Sequence, residues 1–362
     1  MQHSRDQQDF KVLSELVLSP ESDQLSAHVL DRVQELDRSK FDALSALATK
    51  NHVTIRAFSR LRDVSTAQGW TEAAHWAGLA IDEEESRIQH ALQFLTDICG
   101  AFERSGCSVT VIKSLDHWPD LGSDLDLYTG AAATAVVDVM RTNFNAKLED
   151  RSWGDRLANK WNFVVPGLPE LVEVHVGRLG QTGEQTAITE SLSGRTRQKQ
   201  IGKYSFRVLA PEDRIIISTL QRMYRHFYIR LCDVLDNATL IDSEAVDFNY
   251  LHDLGTATGL WEGIATYLTI VSGYVQAFRG YGLRLPALVT GSAKFRVDQV
   301  YFRNDFLRVP ILPHSLNLYA GELRTLIMTG QVRNTLRLSL LPGLATAAAL
   351  EFKITGSDKG IW

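Results

Sequence analysis

Cysteine is scarce in this chain, and its scarcity limits both the class of fold and the compartment. Three cysteines occur among 362 residues, an odd number, and they are widely spaced. Disulfide frameworks need paired cysteines, and structural zinc sites need closely spaced cysteine or histidine pairs. Cys99, Cys107 and Cys232 fit neither pattern. We therefore expect a reducing, cytoplasmic environment without disulfides or structural zinc.

Long apolar runs are also missing. The segment 1–10 is polar and lacks the apolar centre of a signal peptide. The nearest candidate for a membrane span, 336–350, is short and is interrupted by Pro342 and Gly343. We therefore expect no transmembrane segment. The stretch predicts a buried helix pair or a surface for a protein partner, with membrane contact as a third interpretation.

An excess of basic residues is the third missing feature. The 38 lysines and arginines are outnumbered by 43 acidic residues, which leaves a formal net charge of −5. A nucleic-acid surface has to neutralise phosphates with clustered lysine and arginine. The composition therefore gives no reason to expect a DNA partner, although it is compatible with a local basic patch.

The length and the periodicity of the chain predict three regions. A chain of 362 residues exceeds a single typical core. Apolar residues recur at helical spacing over 9–104, and the pattern becomes helical again beyond residue 208. The predicted fold is α/β (α+β). It has an N-terminal helical region (1–105), a core with a small mixed sheet (106–207) and a C-terminal helical domain (208–362).

The segment 109–128 carries the main candidate site. It begins with a predicted buried strand, turns at 119–122, and continues as a second strand, Asp-Leu-Asp-Leu, over 124–127. Because side chains alternate across a strand, Asp124 and Asp126 share one face. Two carboxylates pointing the same way repel each other unless a cation lies between them, and Mg²⁺ is the natural candidate. The alternative is a solvated loop or edge strand.

A third carboxylate occurs in the predicted strand 171–176, Leu-Val-Glu-Val-His-Val. Alternation places Glu173 and His175 on one face and the three valines on the other. A carboxylate inside so apolar a strand is unusual, which makes Glu173 a candidate metal ligand. A half-exposed edge strand with a polar outer face is the alternative.

The helix predicted beyond residue 208 carries a row of polar side chains. Arg222, His226 and Arg230 recur every four residues, so a regular helix would place them on one face with Asp233 nearby. They predict either a buried network that joins the helices to the sheet or direct phosphate contact by Arg230.

The polar segment 180–202 predicts a loop or short helix. Its basic residues are phosphate candidates or a solvated face: Arg195, Arg197 and Lys199.

These motifs resemble the active-site signature of the DNA polymerase β-like nucleotidyltransferase superfamily. In that signature a strand and a small-residue turn precede an Asp-x-Asp strand, and a third acid follows on a later strand. Here Lys113-Ser114 stands at the turn, Gly-Ser-Asp-Leu-Asp occupies 122–126, and Glu173 is the third acid. Ser114 replaces the expected glycine.

More narrowly, the chain is similar to the family of uncharacterised nucleotidyltransferases over roughly residues 40–270. In that family an acid-x-His strand is followed by a Pro-Glu-Asp helix start and by a His…Arg-x-x-Asp helix. The matching positions here are Glu173-Val174-His175, Pro211-Glu212-Asp213, His226, and Arg230-Leu231-Cys232-Asp233.

The resemblance implies an enzyme that moves a nucleoside monophosphate from a nucleoside triphosphate to an acceptor. Asp124, Asp126 and Glu173 would be its catalytic residues and would hold Mg²⁺ or Mn²⁺. The residues implied to contact the nucleotide are Lys113, Ser114, Ser123, His175 and Arg230. A small molecule, a protein side chain and an RNA end are all compatible acceptors.

Two other functions could use the same residues. One is a catalytically silent nucleotide-binding module, in which the side chain of Ser114 crowds the phosphate. Retention of a costly acid cluster argues against it. The other is a metal-dependent phosphotransferase or hydrolase, which would release phosphate instead of pyrophosphate. On a purely structural interpretation, Ser114 and Ser123 cap turns and His175 is a packed, hydrogen-bonded strand residue.

Overall fold

A seven-stranded mixed sheet organises the computed structural model, which describes residues 2–20, 24–192, 194–243 and 246–355. Its strands are β1 (Val109–Val111), β2 (Asp124–Thr129), β3 (Lys147–Leu148), β4 (Lys160–Val164), β5 (Leu171–Val176), β6 (Thr196–Ile201) and β7 (Tyr204–Leu209). Their order is β3-β4-β5-β2-β1-β7-β6. Strand β2 pairs parallel with β5 and antiparallel with β1. The predicted mixed sheet flanked by helices is confirmed.

Helices precede, interrupt and follow this sheet. Those before it are α1 (Gln2–Leu18), α2 (Ala27–Gln34), α3 (Arg38–Lys50), α4 (Thr54–Gln68) and α5 (Thr71–Arg104). Those between its strands are α6 (Ala133–Phe144), α7 (Trp153–Ala158) and α8 (Thr186–Leu192). Those after it are α9 (Pro211–Thr219), α10 (Leu231–Ser243), α11 (Phe248–Thr258), α12 (Trp261–Arg279), α13 (Ala287–Ser292), α14 (Leu316–Met328), α15 (Val332–Ser339) and α16 (Leu341–Thr355). A second sheet, in the order β8-β10-β9, contains β8 (Tyr228–Ile229), β9 (Tyr301–Arg303) and β10 (Phe306–Arg308).

Two apolar cores hold these elements together. One lies between the sheet and α5. The other combines helices from before the sheet with helices from after it, as in the shared burial of Leu13, Leu61 and Val271. Each such buried aliphatic side chain stabilises the fold by about 1.5–3 kcal/mol. The N-terminal helices therefore pack against the C-terminal ones, and the boundaries at 105 and 207 stay predictions.

Helix α5 is longer than its sequence suggests. The acidic run 82–85 predicts a helix start, but one helix of 34 residues continues through it. The buried residues Ile81, Ile88 and Leu92 keep the helical spacing on both sides of the run. A continuous apolar stripe therefore overrides the local preference of acids for a helix N-terminus.

The prediction of one regular helix through residues 222–230 is wrong. The chain leaves α9 through a wide π turn, and β8 follows before α10 begins. Phe227 has a φ of 54°, which a right-handed helix cannot contain. Buried Asp233 accepts a hydrogen bond from the backbone N–H of Arg230 (2.7 Å) and pairs with Arg222 (2.7 Å). These contacts stabilise the break, so the three polar residues do not share a helix face.

Segment 180–202 is more regular than the predicted loop or short helix. It contains α8 and the edge strand β6, which pairs antiparallel with β7. Arg195 pairs with Glu212 (2.6 Å), and Lys199 donates a hydrogen bond to the carbonyl of Leu115 (2.6 Å). These cations therefore join β6 to α9 and to the turn after β1.

The C-terminal apolar stretch does not form the buried helix pair that is one interpretation of its sequence. Leu336 and Leu340 are 63% and 50% exposed, on and just after α15. A protein partner at this surface stays a prediction. Within the described residues, no helix combines the length and the apolar character that crossing a membrane requires.

Arg56 on α4 anchors the N-terminal helices to the turn that follows β1. Its Nε bonds Asp120 (2.8 Å) and its Nη1 bonds Asp236 (2.9 Å) on α10. Asp120 also accepts the backbone N–H of Ile55 (2.7 Å). Both acids are buried, and Asp236 additionally pairs with His117. One guanidinium thus fixes three separate elements around the base of the candidate site.

Replacing Arg56 with methionine should lower the free energy of unfolding by about 3 kcal/mol, because it leaves the buried carboxylate of Asp120 without its cation. Urea unfolding followed by circular dichroism measures the change. The control is Arg38→Ala, which breaks the exposed pair with Asp42 and should change stability by less than about 0.5 kcal/mol. Equal effects of the two substitutions would contradict the anchoring role.

Candidate functional site

The predicted acidic residues meet where β2 and β5 lie side by side. The two strands run parallel, and their register sets Asp126 directly opposite Glu173. Leu125 and Leu127 are fully buried, so the aspartates that alternate with them point to the other face. Asp124, Asp126 and Glu173 all line one cleft. The structure therefore brings together the three predicted metal ligands.

Three cationic or hydrogen-bonding side chains surround the two facing acids. The ammonium of Lys113 contacts Asp126 and lies 3.4 Å from Glu173 Oε1. Lys160 Nζ lies 2.8 Å from Glu173 Oε2. His175 Nε2 lies 3.2 Å from Glu173 Oε1 and 3.7 Å from Asp126 Oδ1. The charges of the acids are thus compensated within the protein.

The pKa values of the acids reflect this crowding. Burial opposes the ionisation of Glu173, but Lys113 and the hydrogen bond from His175 hold its pKa well below the usual range. Burial, together with the nearby charges of Asp126 and Glu173, raises the pKa of Asp124 to about 6. A further cation beside Asp124 would favour its ionised form.

The donor set fits a hard divalent ion. Carboxylate oxygens are the ligands that Mg²⁺ and Mn²⁺ prefer. Asp126, Glu173 and His175 each place one donor atom within 4.8 Å of the others, and Asp124 adds a carboxylate beside them. His175 is only 6% exposed and lines a smaller neighbouring pocket, so it supports the acids from behind the cleft.

The geometry of the turn after β1 explains why position 114 can be a serine in place of the expected glycine. Lys113 has φ 61° and ψ −60°, and the N–H of Ser114 donates to the carbonyl of Ile112 (2.6 Å), which closes a γ-turn. The left-handed position is therefore Lys113. The Ser114 hydroxyl donates to the carbonyl of Asp124 (3.0 Å) and accepts from the N–H of Asp126 (2.7 Å). Both of these hydrogen bonds of the Ser114 hydroxyl are therefore made within the sheet. The hydroxyl of exposed Ser123 donates to Asp124 Oδ2 (3.3 Å).

A basic wall lines the same cleft as the acids. It comes from the π turn over Leu220–Arg225 and from the residues that lead into α10. The cleft-lining residues on this side are Gln221, Arg222, Arg225, His226, Tyr228 and Arg230. The break in the predicted helix is what turns this group toward the sheet.

Two arginines of this wall keep their charge available. The guanidinium of Arg225 makes no hydrogen bond or ion pair with any residue in the described parts of the chain. Arg230 bonds two neutral partners, His52 Nε2 (2.8 Å) and the hydroxyl of Tyr228 (3.3 Å). By contrast, Arg222 is neutralised by Asp233. Burial and then the nearby arginines, Arg225 first, lower the pKa of His226 well below its usual value.

Two stacked histidines form the base of the cleft. The rings of His52 and His117 lie 5.6 Å apart and nearly parallel. Burial lowers the pKa of His52 well below its usual value, and the charge of Arg230 adds to the effect. Burial opposes the charge of His117 too, but Cys232 and Asp236 raise its pKa well above the usual value. One neutral and one charged imidazole therefore lie together.

The site includes residues that sequence reasoning misses. Arg225 belongs to no motif, although it lies beside the predicted His226. His52 comes from the junction of α3 and α4, far from the acids in sequence, and a single histidine carries no spacing signal. Lys160 enters the site from β4, because the antiparallel register of β4 with β5 sets it opposite His175. Only the fold joins these residues to the cleft.

The chain matches no protein-family model, and no similar protein was found among curated proteins or solved structures. The resemblance to nucleotidyltransferases therefore stays a prediction. Any function assigned to the cleft has to rest on its own geometry and charge.

His117→Gln should reveal the raised pKa of His117 through the pH dependence of stability. A raised folded-state pKa stabilises the protein fully below the unfolded value of about 6.5, and this stabilisation is lost as the pH rises through the folded value. The wild-type advantage in free energy of unfolding should therefore be largest below about pH 6.5 and shrink by about 1.4 kcal/mol per pH unit above it. Urea titrations at several pH values measure it.

The control is His75→Gln, which replaces an exposed imidazole on α5 and whose pH dependence is subtracted from that of His117→Gln. A wild-type advantage that grows with pH would show that the His117 imidazole is neutral in the folded protein.

Proposed function

We propose that this protein is a metal-dependent nucleotidyltransferase, which moves a nucleoside monophosphate from a nucleoside triphosphate to an acceptor hydroxyl. One observation carries the proposal. Asp124, Asp126 and Glu173 line a single cleft together with Arg225 and Arg230. A cleft that holds both oxygen ligands for a divalent ion and cations for phosphate suits a metal-bound triphosphate.

The proposed ligands of Mg²⁺ or Mn²⁺ are Asp124, Asp126 and Glu173. When bound, such an ion activates the attacking hydroxyl and neutralises charge on the phosphates. Arg225 and Arg230 would bind the phosphates of the leaving pyrophosphate with charge-assisted hydrogen bonds. His226, with its lowered pKa, is suited to act as a neutral hydrogen-bonding partner beside them. Lys160 and His175 would hold Glu173 in place.

The alternative of a silent nucleotide-binding module has less support in this geometry. Its main argument is the side chain at Ser114, which could crowd the phosphate. Ser114 is only 1% exposed, and its hydroxyl is hydrogen-bonded within the sheet. The phosphotransferase or hydrolase alternative uses the same carboxylates and differs in its product. The acceptor is a small molecule, a protein side chain or an RNA end, and no DNA is expected.

Loss of the acids should abolish metal-dependent nucleotide binding. Calorimetric titration of ATP, GTP, CTP and UTP with Mg²⁺ should give binding of at least one nucleotide to the wild type. Asp124→Asn/Asp126→Asn should weaken that binding at least tenfold, because a neutral amide is a poorer ligand for a hard cation. Asp138→Asn, at an exposed site on α6, is the matched control and should bind like wild type.

Turnover separates the three candidate functions. A transferase releases pyrophosphate, a phosphotransferase or hydrolase releases phosphate, and a silent module releases neither. Glu173→Gln should reduce pyrophosphate release at least tenfold. Absence of triphosphate binding by the wild type would refute the proposal. Binding without any product, after an acceptor search with the bound nucleotide, would favour the silent module.

Arg225→Ala should raise the Kd for the Mg²⁺–nucleotide complex about tenfold, because one charge-assisted hydrogen bond to phosphate contributes roughly 1.5–3 kcal/mol. The same titration measures it. Arg303→Ala, on the exposed strand β9, removes an equal charge away from the cleft and should leave the Kd unchanged. Equal losses in both variants would indicate a general effect of net charge.

A further inference from the structure

Lys113 lies at the centre of the acid pair. Its ammonium contacts Asp126 and lies 3.4 Å from Glu173 Oε1. The side chain starts from a γ-turn with positive φ, a conformation that strains a residue other than glycine by about 1–3 kcal/mol. The surrounding sheet contacts hold this strained turn, and the turn aims the lysine back between β2 and β5.

The ammonium occupies the position that a divalent ion would need. Asp126 and Glu173 would hold a divalent ion through their carboxylate oxygens, the ligands that Mg²⁺ prefers. The ligand atoms of these acids and of His175 lie within 4.8 Å of one another, so they surround one small space. An ammonium and a divalent ion cannot share it, for both steric and electrostatic reasons.

Lys113 also borders a second space that its ammonium group can enter. Its side chain lines both the main cleft and a smaller pocket beside Gln221 and Arg225. A lysine carries its charge on a flexible four-carbon stem, so the ammonium can leave the acids without moving the backbone. The cleft between the acids and Arg225 is where the proposed function places the phosphates. A bound triphosphate would give the displaced ammonium a new anionic partner.

We propose that Lys113 is a displaceable internal cation, which competes with the divalent ion for Asp126 and Glu173 and moves to the phosphates when a nucleotide binds. The competition itself needs only the acids and the ion, whereas the move to the phosphates rests on the proposed function. The consequence is that the ion and the nucleotide bind cooperatively. The ion binds weakly on its own, and the nucleotide strengthens its binding by removing its competitor; by linkage, the ion strengthens nucleotide binding equally.

Lys160 provides a matched comparison. Its ammonium also bonds Glu173 (2.8 Å), but through Oε2, and it is held by Asp155 (3.0 Å) on α7. Lys160 therefore adds one positive charge near the acids without lying between Asp126 and Glu173 Oε1. Removal of either lysine changes the charge of the site equally. Only removal of Lys113 vacates the position of the ion.

The test measures Mn²⁺ affinity by electron paramagnetic resonance, without nucleotide and without turnover. Lys113→Met should bind Mn²⁺ at least tenfold more tightly than wild type, and Lys160→Met less than threefold more tightly. The tightening should disappear in Lys113→Met/Asp126→Asn, which locates it at this site. Equal tightening in Lys113→Met and Lys160→Met, or none in Lys113→Met, would overturn the proposal.

A second titration uses α,β-methylene ATP, whose α,β linkage cannot be cleaved in the transfer. The nucleotide should increase the Mn²⁺ affinity of wild type at least tenfold more than that of Lys113→Met. Chelation of Mn²⁺ by the nucleotide is common to both proteins and cancels in this comparison. An equal increase in both would overturn the cooperative part of the proposal.

The two proposals can fail separately. If Lys113→Met binds Mn²⁺ tightly but no variant binds the nucleotide, the transferase function fails and the internal cation is supported. Lys113→Met removes the positive charge that offsets the repulsion between Asp126 and Glu173, so this variant could fail to fold. Lys113→Gln, which keeps a hydrogen-bond donor, then serves in its place with the same expected tightening. Unchanged Mn²⁺ affinity in a folded Lys113→Gln would overturn the internal cation.

Discussion

Parallel pairing of β2 with β5 sets the carboxylates of Asp126 and Glu173 on adjacent strands, about 4.8 Å apart at the backbone. Two unit charges at that separation repel by roughly 3.5 kcal/mol at an effective dielectric constant near 20, and Asp124 adds a third negative charge. The rest of the site compensates this repulsion. Lys113 enters from the turn after β1 and Lys160 from β4, so the architecture around the acids is largely an arrangement of cations.

The basic wall depends on a second, separate constraint. A regular helix continuing from α9 would carry its polar residues past the sheet. The π turn, the positive φ of Phe227 and the short strand β8 end that helix and turn Arg225 and Arg230 toward the acids. Buried Asp233 holds the break by bonding the backbone at Arg230 and by neutralising Arg222. Among the described arginines of this wall, Asp233 forms an ion pair only with Arg222.

Opposed charge is what favours a metal–phosphate ligand for this cleft. A wall of carboxylates alone would attract cations, and a wall of arginines alone would attract any anion. Together they suit a ligand that presents a divalent ion to one side and phosphate oxygens to the other. Lys113 contacts the acids within the same cleft, and in our proposal its displacement would couple the binding of the ion to that of the nucleotide.

The sequence by itself determined the local features: the strands that alternate through Asp124, Asp126 and Glu173, the helix start at Pro211, and the mixed sheet between helical regions. These follow from side-chain period and capping, which act over a few residues. The tertiary structure alone decided that Lys113 takes the left-handed position, that the helix breaks before Arg230, and that His52 and Lys160 join the cleft. Such features depend on contacts between residues far apart in the chain, where buried charge and packing outweigh local preference.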